Sequence, residues 1–559
     1  LQSYAAMNYT QTGKLVKQGA GALTLSGLNS FSGAVQINAG QLVVGNSDAL
    51  GGSNVTLAVA GGLNLGGQLV RLGSLAGSGA LDIGSGTLMV GQSHLSTTFS
   101  GVISGTGQLV KVGSGGMILS AASTFTGTTD VRDGVLQLAN GLALRYSKVI
   151  ASNHNGLDLV TDTTLGSLGG PGNVATGAHT LTVGGNGLDT SYAGSLQGDG
   201  AFNKTGAGTM TFRGTSSFSG ELRTSGGVLA LARGASLVNS RLQIEADNSL
   251  DLSQNSAVAF ASLSGKGALD LVRTDLTVGS NGVNTTYTGA IAGLATSRLV
   301  KVGKGALTLS AANPLGGIVE ITEGSIALGN RLALQNAALF INVLDSQTVK
   351  PGLNLNGQTA VAFGLLGGST TQAITLDSLS LTGYDGDATF KGSLNVKNAL
   401  TKQGLGVQVL TGDNLYTGST LVSGGTLREV GGNSNAVITA TDGGIFISQN
   451  QTLSPLGGYG AITTTAGGEV LYNSSTLIGG HLAGSGHKIV GRGTTFNGTV
   501  IRVGGVVTQA VAAEVNDITL NGVLHNNAPL VWTGGVIGAG GVLNVNRAVA
   551  AASLVSNGV

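Results

Sequence analysis

Cysteine is absent from all 559 residues. That removes disulfides, thiol nucleophiles and Cys-ligated metals together, so stability has to come from burial and hydrogen bonding. Charge is nearly as scarce. Charged residues make up 9% of the chain, against about 25% in an ordinary globular protein. With 27 Lys and Arg against 26 Asp and Glu, no net field would draw the chain to nucleic acid or an anionic membrane. Only 5 prolines stand beside 98 glycines, and there is no three-residue period, which excludes collagen and argues against a disordered linker. Apolar runs such as Leu332 to Ile341 fall short of the ~18 residues of a membrane-spanning helix. No basic and then apolar leader opens the chain, so an exported protein is seen here as its mature part.

Repetition fills the space these absences leave. Leu15-Val-Lys17-Gln-Gly19-Ala-Gly21 runs on to Phe31-Ser-Gly33 and closes at Gly40-Gln-Leu42. The pattern returns around Lys111, Lys204, Lys301 and Lys402, at intervals of about 93 to about 101 residues. A second signature holds an aromatic: Phe99-Ser-Gly101, Tyr192-Ala-Gly194, Tyr287-Thr-Gly289 and Phe390-Lys-Gly392. A third, Gly62-Leu-Asn64-Leu65 and its echoes, follows the closing Gly-x-Leu by about 22 residues in three units and about 28 in the fourth. The inner period is therefore about 22, with roughly four turns per unit. Within a turn sit short alternating runs such as Leu23-Thr-Leu25 and Val35-Gln-Ile37, punctuated by Gly, Asn and Ser, which read as strands. Short strands at a fixed repeat of this length predict an all-β fold: a right-handed, single-stranded parallel β-helix, each coil stacked on the last. The regular array spans 1–430, and 431–559 reads as a diverged continuation without the superperiod.

The motif Leu-x-Lys-x-Gly-x-Gly, followed by Asn-x-[Phe/Tyr]-[Ser/Thr]-Gly and then Gly-x-Leu, resembles the passenger-associated transport repeat of bacterial type V autotransporters. It covers five segments of about 30 residues. The resemblance implies a passenger exported through the periplasm, then secreted or held at the cell surface, with an outer-membrane barrel C-terminal to it in the precursor. Passengers of this family are adhesins, toxins, esterases, proteases or binders of host serum proteins, and the repeat does not choose among them. One member, from Bordetella, captures a complement-regulating serpin. A serum serpin or other host extracellular protein, or a host-cell receptor, is thus the partner class the resemblance implies.

Chemistry is hard to find. No Gly-Asp-Ser-Gly or Gly-x-Ser-x-Gly nucleophile loop exists. The six histidines, His94, His154, His179, His481, His487 and His525, are scattered without a zinc spacing. Asp270, Arg273 and Asp275, and the pair Asp385 and Asp387, read as turn residues. No catalytic residue, cofactor or metal site is assigned, and the chain reads as non-enzymatic. The repeat lysines read as caps or edges of their coils, about four coils apart, and Phe31, Phe125, Phe218 and Tyr416 as corner fillers.

Two function classes remain: a rod that binds a host protein, as an adhesin or a complement-regulator trap, and a bare stalk that presents another domain. A flat face of Thr, Ser and Gly offers no deep pocket, so binding is expected where coils are interrupted. Two stretches qualify. The longer fourth unit carries Asp345, Gln347 and Lys350 between Leu344 and Pro351. Arg145, Tyr146 and Lys148, with His154 beyond them, form a polar and partly aromatic patch in a coil of ordinary length.

Overall fold

A computed structural model describes residues 13–29, 33–343, 352–434, 437–458, 460–502, 505–516, 518–533, 535–545, 549–551 and 555–556. The chain divides into two compact units, Leu1–Asp270 and Leu271–Val559. Each is a parallel β-solenoid. In the first, one face stacks ten strands, among them Leu15–Lys17, Val35–Ile37, Asn54–Leu57, Ser74–Gly77 and Thr97–Phe99. In the second, one face stacks nine, from Ala388–Phe390 through Val407–Leu410, Thr426–Val430 and Ile445–Gln449 to Val542–Val545. The pairing is parallel, each strand meeting its counterpart about 20 residues on, as Leu15 meets Val35 and Leu109 meets Thr129. Among the described residues the helical element is a single 3-10 turn, Pro455–Gly458.

Alternation decides which side chains go in. In Gln41–Val44 the buried residues are Leu42 and Val44, and in Thr87–Val90 they are Leu88 and Val90. Because the coils are in register, each inward Leu, Val or Ile sits on another one coil away. Each contributes about 1.5–3 kcal/mol of burial, which no isolated coil could realise.

The repeat lysines cap their coils, as one half of the expectation had it, but from inside rather than at an edge. Lys17, Lys111, Lys204, Lys301 and Lys402 are all buried, at 6% exposure or less. Each ammonium turns back into its own loop. Lys111 Nζ donates to the carbonyls of Val112 and Gly113 at 2.8 Å, and to that of Asp133 in the next coil at 3.1 Å. Lys17 serves Gln18, Gly19 and Ala39 in the same way; Lys204 serves Thr205, Gly206 and Gly226; Lys301 serves Val302, Gly303 and Glu323. An ammonium has three donors, and in these four repeats all three are used. Lys402 caps Gln403 and Gly404. Burial lowers the pKa of Lys111, Lys204 and Lys402, and that of Lys301 to about 8, against the raising effect of nearby carboxylates. The closing glycine of the motif belongs to the same device. A Cβ on Gly134, which has φ +64°, would overlap the carbonyl oxygen of Gly113 and crowd Lys111 Nζ.

Following one lysine along its stack explains the aromatic signature. Lys17 is succeeded by Ile37, Leu57, Gly77 and then Phe99. Lys111 is succeeded by Val131 and Ala151, then Gly170 and Tyr192. In the second unit Lys301 leads through Ile321 and Ile341 to Gly368 and Phe390. The aromatic therefore lies four coils beyond its lysine, and the next lysine, such as Lys111 after Phe99, comes about twelve residues later. A repeat is thus four coils and part of a fifth. This corrects the expectation of four turns of about 22 residues. Because the remainder is not a whole turn, Lys17, Lys111 and Lys204 fall on three different stacks within the first unit. Phe125, Phe218 and Tyr416 are buried, as corner fillers should be; Phe31 lies outside the described residues.

Beyond Val430 strands keep pairing in parallel to the last described pair, Ile537 with Ser556. The interior there turns more polar. Gln451, His487, Gln509 and Asn526 are all buried.

Candidate partner-binding surface

Strand Leu144–Ala151 is where the wall of the first unit is interrupted. It pairs with Thr163–Gly169, but the register slips: Leu144 faces Leu165 while Lys148 faces Ser167. Residues 145 to 147 thus stand opposite the single residue Gly166, a β-bulge two residues deep. Only glycine fits there, since a Cβ on Gly166 would overlap the backbone of Tyr146 and Ser147. Ser147 anchors the bulge from inside, its hydroxyl 2.8 Å from Thr129 Oγ1 and donating to Gly127 O at 2.6 Å. With Ser147 turned in, Tyr146 is turned out, 42% exposed, and the Arg145 guanidinium lies over its ring at 4.5 Å. A cation stacked on an exposed tyrosine holds a flat, amphipathic plate in place.

The structure brings together two of the four residues proposed here from sequence. Arg145 and Tyr146 form the plate. Lys148 has already rejoined the ladder opposite Thr128 and is half-buried. His154 is exposed in the turn after Ala151, roughly 16 Å of strand away from Tyr146. The coil is interrupted by an internal bulge rather than by a longer turn. Asp345, Gln347 and Lys350 lie outside the described residues.

The second unit repeats the bulge. Strand Leu334–Ile341 pairs with Ala360–Gly367, with Leu334 facing Phe363 and Ala338 facing Leu365, so that residues 335 to 337 meet the single Gly364. Thr382 Oγ1 donates to Gln335 O at 2.6 Å. Beside it runs a groove of about 340 Å³ lined by Arg331, Leu332, Gln335, Ser378 and Thr401. A further slip, between Leu376 and Ser378, sets Lys397 and Asn398 opposite Asp377. In the first unit another groove, of about 470 Å³, is lined by Arg233, Ser236, Val238, Gln254 and Val258. The sequence reading missed these places. The signal for the paired bulges was present: Asn140-Gly-Leu-Ala-Leu144 and Asn330-Arg-Leu-Ala-Leu334 are near copies, and in each the Asn Oδ1 accepts the backbone N–H two residues on.

Of the carboxylates weighed as catalytic candidates, Asp270 and Asp275 lie in strands Leu269–Asp270 and Asp275–Val278 rather than in turns, and Asp385 and Asp387 serve the backbone. Asp385 Oδ1 accepts from Leu405 N at 3.1 Å, and Asp387 Oδ1 from Val407 N at 2.8 Å. His487 is buried against Tyr472, with Nδ1 3.2 Å from the hydroxyl and Nε2 2.9 Å from Ala483 O. Burial lowers its pKa. No helix among the described residues is long and apolar enough to cross a membrane.

The family model for the passenger-associated-transport-repeat matches residues 15–44, 109–138, 202–231, 299–328 and 400–428. Each match encloses one buried lysine and its closing glycine. Over 506 residues the chain is 27% identical to the Adhesin BmaC autotransporter of Brucella suis biovar 1 (strain 1330), covering 82% of this chain and 13% of that protein. The five repeats and the Brucella relative support a bacterial autotransporter passenger domain. Passengers of that kind are secreted or displayed at the bacterial surface by way of the outer membrane. The passenger spans about an eighth of its Brucella relative, and no solved structure matches it.

Proposed function

We propose that this passenger is a non-enzymatic binding module that attaches its bacterium to a host-cell receptor or a host extracellular protein. The likeness to a Brucella autotransporter named an adhesin, along 82% of this chain, carries the reading. The Arg145–Tyr146 plate, with Tyr146 exposed and Arg145 half-buried, is where it would act, because Tyr and Arg are the side chains that anchor protein interfaces. The test displays the passenger on a non-adherent bacterium and measures attachment to host cells and to immobilised serum and matrix proteins. Attachment should appear with the passenger and fall several-fold when Arg145 and Tyr146 are both replaced by Ala, with the melting temperature within a few degrees of the parent. Deleting Asp345 to Lys350 in parallel separates a site on the bulge from one in that stretch of sequence. Attachment to none of these surfaces would sink the reading and leave the alternative, a stalk that carries another domain. A narrower form, capture of a serpin from serum, predicts that one serum protein of that class is retained. Reproducible hydrolysis of protein, ester or polysaccharide substrates would overturn the non-enzymatic part.

A further inference from the structure

Glu429 is 1% exposed, deep in the second unit on strand Thr426–Val430. Its Oε2 accepts a hydrogen bond from Gln451 Nε2 at 3.1 Å. Its other oxygen, Oε1, is buried without a partner, and so is Oε1 of Gln451. Two unsatisfied acceptors on two groups already joined by one hydrogen bond define a specific chemical deficit. A carboxylic acid and a primary amide close into a ring when the acid C=O accepts from the amide N–H and the acid O–H donates to the amide C=O. One proton on Glu429 satisfies both orphans at once, whereas a carboxylate leaves a buried anion facing a carbonyl oxygen.

We propose that Glu429 and Gln451 form such a closed acid–amide pair, with a proton on Glu429 Oε1 donated to Gln451 Oε1, so that the coils just beyond the last repeat are held together by a proton taken from solvent. The surroundings agree. The flanking strands in the same sheet, Val407–Leu410 and Ile445–Gln449, bring no titratable side chain. Of the strands on the facing side, Leu415–Tyr416 brings the buried Tyr416 hydroxyl, which is also unpartnered, and Asn433–Ser434 and Thr452–Leu453 bring none. Arg428, adjacent in sequence, is taken up by Gln449, its Nε 2.7 Å from Oε1. Lys402 is held by the carbonyls of Gln403 and Gly404. No described cation is therefore placed to balance a carboxylate at Glu429. Burial holds the carboxyl well above the usual range, at about 7, against the lowering effect of Gln451.

A folded-state pKa raised above the unfolded value gives stability that is present at low pH and lost as pH rises through the folded value. The window runs from about 4.3, where unfolded Glu ionises, to about 7. The test compares denaturant unfolding of the full chain and of Glu429→Gln at pH 5, 6, 7 and 8. The Gln side chain supplies a permanent N–H to Gln451 Oε1 and should be insensitive to this window. The wild type should lose stability relative to the variant by on the order of tenfold or more in the unfolding equilibrium between pH 5 and pH 8. Parallel curves for the two proteins would overturn the proposal. If the variant does not fold, infrared spectroscopy of the wild type decides alone. A carboxylic-acid C=O band should persist at pH 6, where exposed carboxyls are ionised, and vanish by pH 8.5. Its absence at pH 6 would overturn the proposal as surely.

Discussion

At the scale of single residues, the lysine of each repeat shows how much of the motif is hydrogen-bond accounting. The loop between two strands leaves carbonyls pointing inward, where water cannot reach them, and one ammonium answers up to three of them. Arginine could not replace it, because a planar fork does not converge on three carbonyls around one nitrogen. Replacing Lys301 by Met keeps the aliphatic stem and removes the donors. It should cost about 2–4 kcal/mol, read from urea unfolding at pH 7. The pH dependence has a definite sign. The Lys301 pKa is about 8 folded, against ~10.4 unfolded, so between these values the unfolded chain binds more protons and stability rises with pH. The stability gap between wild type and Lys301→Met should therefore widen from pH 8 to pH 10. A gap that narrows would mean that the third N–H of the ammonium outweighs the cost of burying its charge.

At the scale of elements, the strands and the parallel stacking were legible in the sequence because side-chain alternation and the spacing of Gly-x-Leu are local facts. The position of the lysine was not. Leu-Val-Lys111 reads as an apolar strand ending in a charge, and a charge reads as an edge, yet the following glycines are what let the ammonium fold back inside. The length of a repeat in coils was equally hidden, since a residue count does not say how much of each turn is spent on corners. The bulges were half legible: the copy Asn-x-Leu-Ala-Leu was there to see, but its meaning needed Gly166 and Gly364 across the ladder. Glycine also separates position from composition. Gly77 has φ +109° and a Cβ there would overlap the Leu57 carbonyl, whereas nothing lies within 4 Å of a Cβ on Gly185. Gly77→Ala should therefore destabilise the first unit by more than about 3 kcal/mol or prevent its folding, and Gly185→Ala should stay within about 0.5 kcal/mol. Thermal unfolding of both variants by circular dichroism checks this. Equal melting temperatures would contradict the packing described.

At the scale of the whole molecule, the scarcity of charge sets how binding should respond to its surroundings. A net charge of +1 and 9% charged residues give no long-range field to steer a partner, and the surface pairs Arg71 with Asp48 and Lys397 with Asp377 are already matched. If attachment rests on the Arg145–Tyr146 plate, its free energy comes mainly from burying the tyrosine ring and one stacked guanidinium. At most one or two charges then cross the interface. Raising salt from 50 to 500 mM shortens the Debye length from about 14 to about 4 Å, which would abolish association driven by opposed charged surfaces. For this passenger the same change should alter the affinity for an immobilised host protein by less than about threefold, and the association rate no more than that, measured by surface plasmon resonance. The Tyr146→Ala variant should lose affinity equally at both salt concentrations, because the ring contributes by desolvation. A tenfold or greater loss for the wild type in high salt would place the contact on charged residues instead, and a Tyr146→Ala effect confined to low salt would show that the ring serves only to position Arg145.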